Sequence, residues 1–150
     1  MGIRDKDGVF ADYFSLPIRN LFAVPDSVTD ESAVFTEPLA AALRVVEQLD
    51  EVNTSTIAVL GPGRLGLLIG KVLALAGYEV IMLGRSEKSL TLPAQWQLQT
   101  NLIQDIPDNS FALVVDATGQ SMGFEQALRI IAPQGSIVLK STFSDSRPID

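Results

Sequence analysis

The sequence predicts an α/β domain built on a doubly wound parallel sheet, and three observations lead there. Short apolar runs recur over 56–60, 79–83, 111–115 and 136–140 with little alternation of polar residues. Strands buried on both faces read this way. Helical patterns stand between the first two runs, at 65–76, and between the last two, at 124–131. Strand and helix in alternation imply a parallel sheet covered on both sides. Third, Gly61-Pro62-Gly63-Arg64-Leu65-Gly66 joins the first run directly to the helical pattern that follows. Right-handed crossovers around such a junction give the strand order 3-2-1-4-5.

Each element has its own justification. Residues 1 to about 25 alternate through Val9, Ala11 and Tyr13, then Phe14 and Leu16, before Pro17 interrupts. Short strands are expected there, with 20–25 as a second extended piece. So short a β segment makes no core of its own and must pack on something else. Thr29-Asp30-Glu31 has the form of a helix start, a capping hydroxyl followed by two acids. A second start falls at Thr36-Glu37-Pro38, after which Leu39, Ala42, Leu43 and Val46 recur at helical spacing as far as Gln48 or Leu49. The polar run 50–55 is a loop into the first sheet strand, 56–60. The helix 65–76 is closed by Gly77, and 79–83 is the second strand. One or two helical turns fit at 86–90 before Pro93, and a weak third strand lies around 96–102. The strand 111–115 ends in Asp116-Ala117-Thr118-Gly119, and Phe124, Leu128 and Ile131 line one side of the next helix. Pro133-Gln134-Gly135 then turns into the last strand, 136–140. Trp96, Phe111 and Phe124 read as packing residues.

Composition narrows the function. The chain has 150 residues, enough for one domain with a real core, and 47% of them are apolar. No charge-free run approaches the ~18 residues that cross a bilayer, and no basic segment followed by an apolar one opens the chain. A cytoplasmic protein without a membrane partner is expected. The net charge of −7 argues against nucleic acid, whose phosphates it would repel. Cys and His are both absent. Disulfides are therefore impossible, any metal site must use oxygen ligands, and mechanisms needing Cys or His are excluded within the chain.

The glycine loop carries the chemistry. A G-x-G-x-x-G pattern between a strand and a helix is the context that dinucleotide binding requires. Gly61 allows the tight turn off the strand, Gly63 lets a pyrophosphate approach the backbone, and Gly66 lets the helix press on the sheet. The first helical turn, with Arg64 and Leu65, presents free N–H groups and a positive dipole end to the phosphates. An ordinary glycine-rich turn is the competing reading. The domain is thus expected to be of Rossmann type. Dinucleotide domains that prefer NAD place an acid at the end of the second strand, roughly 20 residues after the loop. Here that end reads Leu83-Gly84-Arg85-Ser86, with Gly84 where the acid is expected. Without the acid a 2′-phosphate is not repelled, and Arg85 and Ser86 can contact it. NADP is therefore expected over NAD, against the alternative that Gly84 is a turn and Arg85 is solvated or paired with Glu87.

These residues, taken with others, resemble a family. Asp7-Gly8-Val9-Phe10-Ala11-Asp12-Tyr13, Pro17, Asn20-Leu21 and Val24-Pro25-Asp26 are similar to the end of the catalytic domain in medium-chain dehydrogenases/reductases. Asp30-Glu31-Ser32-Ala33 and Glu37-Pro38-Leu39-Ala40 resemble that family's bridging helices, and Glu-Pro-Leu favours its polyol and threonine branch. The stretch 59–66 and Asp116-Ala117-Thr118-Gly119 match its cofactor-domain motifs. The resemblance implies an NAD(P)-dependent oxidoreductase of the zinc alcohol or polyol type, passing hydride between an alcohol and the nicotinamide. It implies that Thr118 and Gly119 run along the adenosine half of the cofactor. It implies also that Leu139, Lys140 and Ser141 form the strand end whose backbone meets the nicotinamide amide. Lys140 is equally read as a solvated charge. Glu37 matches an acid beside the catalytic zinc in polyol-type relatives, or serves as an acid against a helix dipole. Asp116 is read as the cap of the following turn, with direct catalysis as the alternative.

The same resemblance defines what is missing. The family's Cys and His zinc ligands would precede this segment, so no catalytic residue is assigned in the chain, zinc is expected only in an intact parent enzyme, and the isolated chain is expected to be inactive. Residues 1–28 are expected to be the end of the catalytic segment with its linker, and 29–150 the dinucleotide-binding domain, truncated at its C-terminus. The interval 83–111 is shorter than the family's. A piece cut at a domain boundary is the expectation, and a natural small protein the alternative. Homodimers through the sheet edge are common in the family, so a dimer is open here. Two other functions stay open: a zinc-independent quinone or alkene reductase of the same superfamily, and a non-enzymatic module sensing NAD(P)H.

Overall fold

The computed structural model describes residues 7–49 and 54–140. Two compact units divide the chain, Met1–Val34 and Phe35–Asp150. Within the first, Pro17 leads into a 3-10 turn, Ile18–Asn20, and a turn at Pro25 closes through the Val28 N–H. Helix α1, Asp30–Ala33, starts where the sequence places it. The Thr29 hydroxyl oxygen accepts the Ser32 N–H at 3.3 Å, and Asp30 and Glu31 occupy the first turn. The β segment expected over 1–25 is not formed among the described residues. A strand needs a neighbour to satisfy its backbone groups, and this unit offers none.

The second unit holds the sheet. Its strands are β1 (Thr56–Leu60), β2 (Glu79–Gly84), β3 (Gln99–Leu102), β4 (Phe111–Asp116) and β5 (Ile131–Leu139). All four pairings are parallel, and the order is β3-β2-β1-β4-β5, as predicted. Leu60, at the end of β1, lies in register with Leu83 of β2 and with Asp116 of β4. The carboxyl ends of three strands therefore share one edge, where the strand order reverses.

Period-2 alternation along each strand feeds two cores. On one face Ile57, Val59, Met82, Leu113 and Val115 meet helix α2 (Thr36–Glu47) and helix α3 (Arg64–Leu75) through Ala42, Val45, Ile69 and Leu73. On the other, Ala58, Leu60, Leu83 and Val114 meet helix α5 (Ser121–Ile130) through Ala127 and Ile130, with Ile103 and Ile106 beside them. α3 ends at Gly77, as expected. Gly77 has φ +94°, its N–H reaches the Ala74 carbonyl and the Tyr78 N–H reaches that of Leu73, the paired closure that a left-handed glycine permits.

One buried stripe and four boundaries differ from the sequence reading. The buried stripe of α2 is Ala42 and Val45, continued by Leu49 beyond the helix, while Leu39 and Leu43 stay exposed. Helix α4 spans Glu87–Gln95 and runs through Pro93. Pro93 sits in the last turn with its ring buried, so it forfeits one hydrogen bond near an end that frays in any case. The third strand is confined to Gln99–Leu102. Helix α5 starts three residues before Phe124, because Gly123 packs directly on the Thr118 side chain. Ile131 already pairs with Phe111, and the ladder resumes only at Ser136 with Leu113. The predicted turn at Pro133-Gln134-Gly135 is thus an excursion inside β5, with Gln134 at φ +64°.

Leu73 and Leu75 separate packing from composition on a single helix. Leu73 is fully buried and Leu75 is 77% exposed. Leu73→Ala should lower unfolding free energy by about 2–5 kcal/mol, and Leu75→Ala by about 0.5 kcal/mol or less, in urea titrations.

Candidate functional site

A cleft of about 410 Å³ opens at the carboxyl ends of β1, β2 and β4. That is the position where open α/β sheets take ligands, and the volume is in the range of small-molecule sites. The glycine loop forms one lip. Its geometry follows from three backbone approaches. Gly61 has φ +90°, and a Cβ there would stand 2.9 Å from Thr118 Cα and 3.0 Å from the Ala117 carbonyl oxygen. Gly66 is buried, and a Cβ on it would run into the Gly61 carbonyl oxygen. Gly63, which precedes the first turn of α3, has nothing within 4 Å of the same position. Two glycines are therefore required by packing, while the third keeps an open face.

The helix behind this face has no side-chain cap and no acid in its first turn. Its N–H groups and its positive dipole end are thus not neutralised by an acid of that turn. The ladder continues past the strand ends: the Gly61 N–H donates to the Leu83 carbonyl at 3.1 Å, and the Ala117 N–H to that of Leu60 at 2.9 Å. Asp116 is completely buried. One of its carboxylate oxygens accepts the Thr118 N–H at 2.9 Å and the Thr118 hydroxyl at 2.7 Å. Its main-chain carbonyl accepts the Lys140 N–H at 2.8 Å. Asp116 is thus a cap for the 117–119 turn, the role read from the sequence.

The opposite lip is the end of β2. Gly84, Arg85 and Ser86 all line the cleft. A Cβ on Gly84 would come to 2.6 Å from Ser89 Oγ and 2.8 Å from Leu90 Cδ2, so a side chain there requires those two side chains of α4 to shift. Ser86 caps α4. Its hydroxyl oxygen accepts the Ser89 N–H at 3.4 Å, and its carbonyl accepts the Ser89 hydroxyl at 2.6 Å. Arg85 is exposed and forms no ion pair among the described residues, so the alternative pairing with Glu87 is not made.

The predicted residues divide as follows. Gly61, Pro62, Gly63, Gly84, Arg85, Ser86 and Thr118 share the cleft, while Arg64, Leu65, Gly66, Gly119, Leu139 and Lys140 do not line it. Arg64 opens α3 at the surface, Leu65 packs towards the first core, and Gly66 supports the loop from beneath. Gly119 turns at φ +66°, and Leu139 is half-exposed at the end of β5. Ser141 lies outside the described residues. Glu37 is exposed in the first turn of α2. No group of three or more acids, His or Cys able to hold a metal occurs among the described residues. Sequence reasoning missed Ser89, Ile103, Gln120, Met122 and Gln126, which also line the cleft. They come from segments whose local patterns are weak, and only the position of α5 after a strand end could have indicated them.

No protein-family model matches the chain. The curated relatives include the L-threonine 3-dehydrogenase of Pyrococcus horikoshii, 27% identical over 97% of this chain and 45% of that protein. Among solved structures, galactitol-1-phosphate dehydrogenase from Escherichia coli superposes with a TM-score of 0.80 and 21% identity, over 97% of this chain and 45% of that one. A protein described as a zinc-binding dehydrogenase from Sinorhizobium meliloti 1021, bound to NADP, gives a TM-score of 0.71 and 22% identity, over 86% and 42%. An alcohol dehydrogenase, rspB, from E. coli CFT073, complexed with NADH, gives 0.73 and 23%, over 90% and 43%. The chain is thus similar to proteins named as threonine and galactitol-phosphate dehydrogenases, at 27% and 24% identity and over less than half of each. Its homologues are oxidoreductases, and the chain spans about half the length of the curated relatives it matches.

The lip geometry is directly testable. Gly66→Ala should cost about 1–3 kcal/mol by overpacking, whereas Gly63→Ala should melt like wild type, as followed by thermal denaturation.

Proposed function

We propose that the chain is the cofactor-binding portion of an alcohol or polyol dehydrogenase of the zinc type, and that its 61–66 loop holds the pyrophosphate of a nicotinamide dinucleotide. The observation that carries this reading is the open backbone face at Gly63, set against the first turn of α3 at the mouth of the cleft. A backbone face left open at a helix N-terminus suits a phosphate group. When bound, the nicotinamide ring supplies a two-electron acceptor or donor of hydride. The chain's own work is binding and orientation. Pro62, Gly63, Arg64, Leu65 and Gly66 present the loop and helix N-terminus, Thr118 and Gly119 follow the adenosine half, and Leu139, Lys140 and Ser141 are assigned to the nicotinamide amide. The reading takes 1–28 as the end of a catalytic segment and 29–150 as the dinucleotide domain.

The described residues do not fit a zinc ion, and Glu37 alone supplies one oxygen donor. We place Glu37 at a metal only within an intact enzyme. A sugar alcohol or amino alcohol is the proposed substrate class, supported by relatives named as threonine and galactitol-phosphate dehydrogenases. A cytoplasmic setting and a homodimer, formed at an open sheet edge such as that of β5, complete the proposal on the same kinship.

Gly63→Val tests the loop. Calorimetry with NADPH and NADH should register binding to wild type and none to the variant, with the fold retained. Equal affinities for the two proteins would remove the assignment.

Cofactor choice is a separate proposal: NADP over NAD. It is supported by a second-strand end with no acid and by an exposed Arg85 with no ion-pair partner among the described residues. A guanidinium on a 2′-phosphate contributes about 1.5–3 kcal/mol. Arg85→Ala should therefore erase an NADPH preference of that size when NADPH and NADH are compared at one ionic strength. A wild type that binds both equally would refute it.

A further inference from the structure

Arg129, on α5, touches two parts of the cleft wall. Its Nη1 donates to the Ile106 carbonyl at 2.7 Å and to Asp108 Oδ1 at 2.8 Å. Its Nη2 donates to the Ile103 carbonyl at 2.8 Å, and its Nε to Gln126 Oε1 at 3.1 Å. Ile103 and Gln126 both line the cleft, whereas Arg129 does not. One guanidinium therefore ties the turn after β3 to α5 and spans the gap between them.

The chemistry of this link fixes a direction. Arginine has donors only, so Gln126 must offer Arg129 its carbonyl oxygen. The ambiguity that normally attends a glutamine amide is thereby removed. The N–H2 group is what remains, and among the described residues it has no acceptor. Leu83, Ile103 and Met122 contribute apolar surface to the same cleft, beside polar residues such as Ser86, Thr118 and Gln120. A ring with apolar faces and acceptor nitrogens at its edge would use both the apolar surface and this donor, and a nucleotide base has that form.

We propose that the Gln126 N–H2 donates to a ring nitrogen of the dinucleotide's base, and that Arg129 is the positioning residue that aims this donor and holds the Ile103 wall. The inference rests on the reading of the cleft as a dinucleotide site. It adds a base-recognising residue on α5, distant in sequence from the glycine loop. It also explains why Arg129 engages four acceptors instead of remaining solvated.

The test uses the full 150-residue chain labelled with nitrogen-15. The Gln126 side-chain amide signals are identified by their loss in Gln126→Glu. Saturation with NADPH should move one of these protons downfield, while inorganic pyrophosphate, which has no base, should leave both in place. Gln126→Glu keeps an acceptor for Arg129 but removes the donor, and should weaken NADPH and NADH alike by about tenfold, the equivalent of one hydrogen bond. Arg129→Lys cannot span all four acceptors, and at a temperature where it is fully folded it should abolish the NADPH-induced shift although Gln126 is present. If NADPH moves the backbone signals of 61–66 but not the Gln126 amide, this inference fails and the dinucleotide site stands. If NADPH moves neither, both fail.

Discussion

The cleft end of the sheet depends on two linked approaches between main chains: Gly66 leaves no room for a side chain against the Gly61 carbonyl, and Gly61 none against Ala117 and Thr118. Side chains at 61 or 66 would push α3 and the 117–119 turn apart. Without them, three backbones pack too closely to admit a Cβ, and the helix N-terminus is drawn to the reversal point of the strand order. The open face at Gly63 is a consequence. Once 61 and 66 are pinned on either side, the residue between them is carried outward, where it meets no protein atom.

A rim so built needs little rearrangement to receive a ligand. The polar groups at the strand ends already bind one another: Gly61 to Leu83, Ala117 to Leu60, Thr118 to Asp116, and Lys140 to Asp116. Their geometry is set by the register of four strands, and pre-set groups reduce the ordering cost of binding. The two cores divide the labour. One, under α2 and α3, anchors the glycine loop, and the other, under α5, anchors the wall that contains Ile103 and Gln126.

Much of this was legible in the sequence, for identifiable reasons. Strands buried on both faces leave near-continuous apolar runs, so β1, β2 and β4 were found to within a residue. Gly77 marked the end of α3 because only glycine accepts its backbone angle cheaply. The order of motifs, strand then glycine loop then helix, located one lip of the cleft. What escaped notice depended on tertiary contacts. Pro93 looked like a helix stop, yet its ring is buried and its lost hydrogen bond lies in a final turn. The helix read from Phe124 in fact begins at Ser121, and Gly123 within it is a point of close approach to Thr118. Leu39 and Leu43 have the right spacing for a core stripe, but α3 selects the neighbouring one. Ser89, Ile103 and Gln126 carry no local signal, since their meeting is created by the crossovers.

Gly84 has an evolutionary consequence. Its missing side chain is enforced by the Ser89 hydroxyl and by Leu90, both on the next helix. Both contacts are made by side-chain atoms and not by backbone, so a larger residue at 84 would require the Ser89 and Leu90 side chains to turn aside. An acid at 84 would therefore be accommodated more or less readily according to what stands at 89 and 90, and the three positions would be expected to change together.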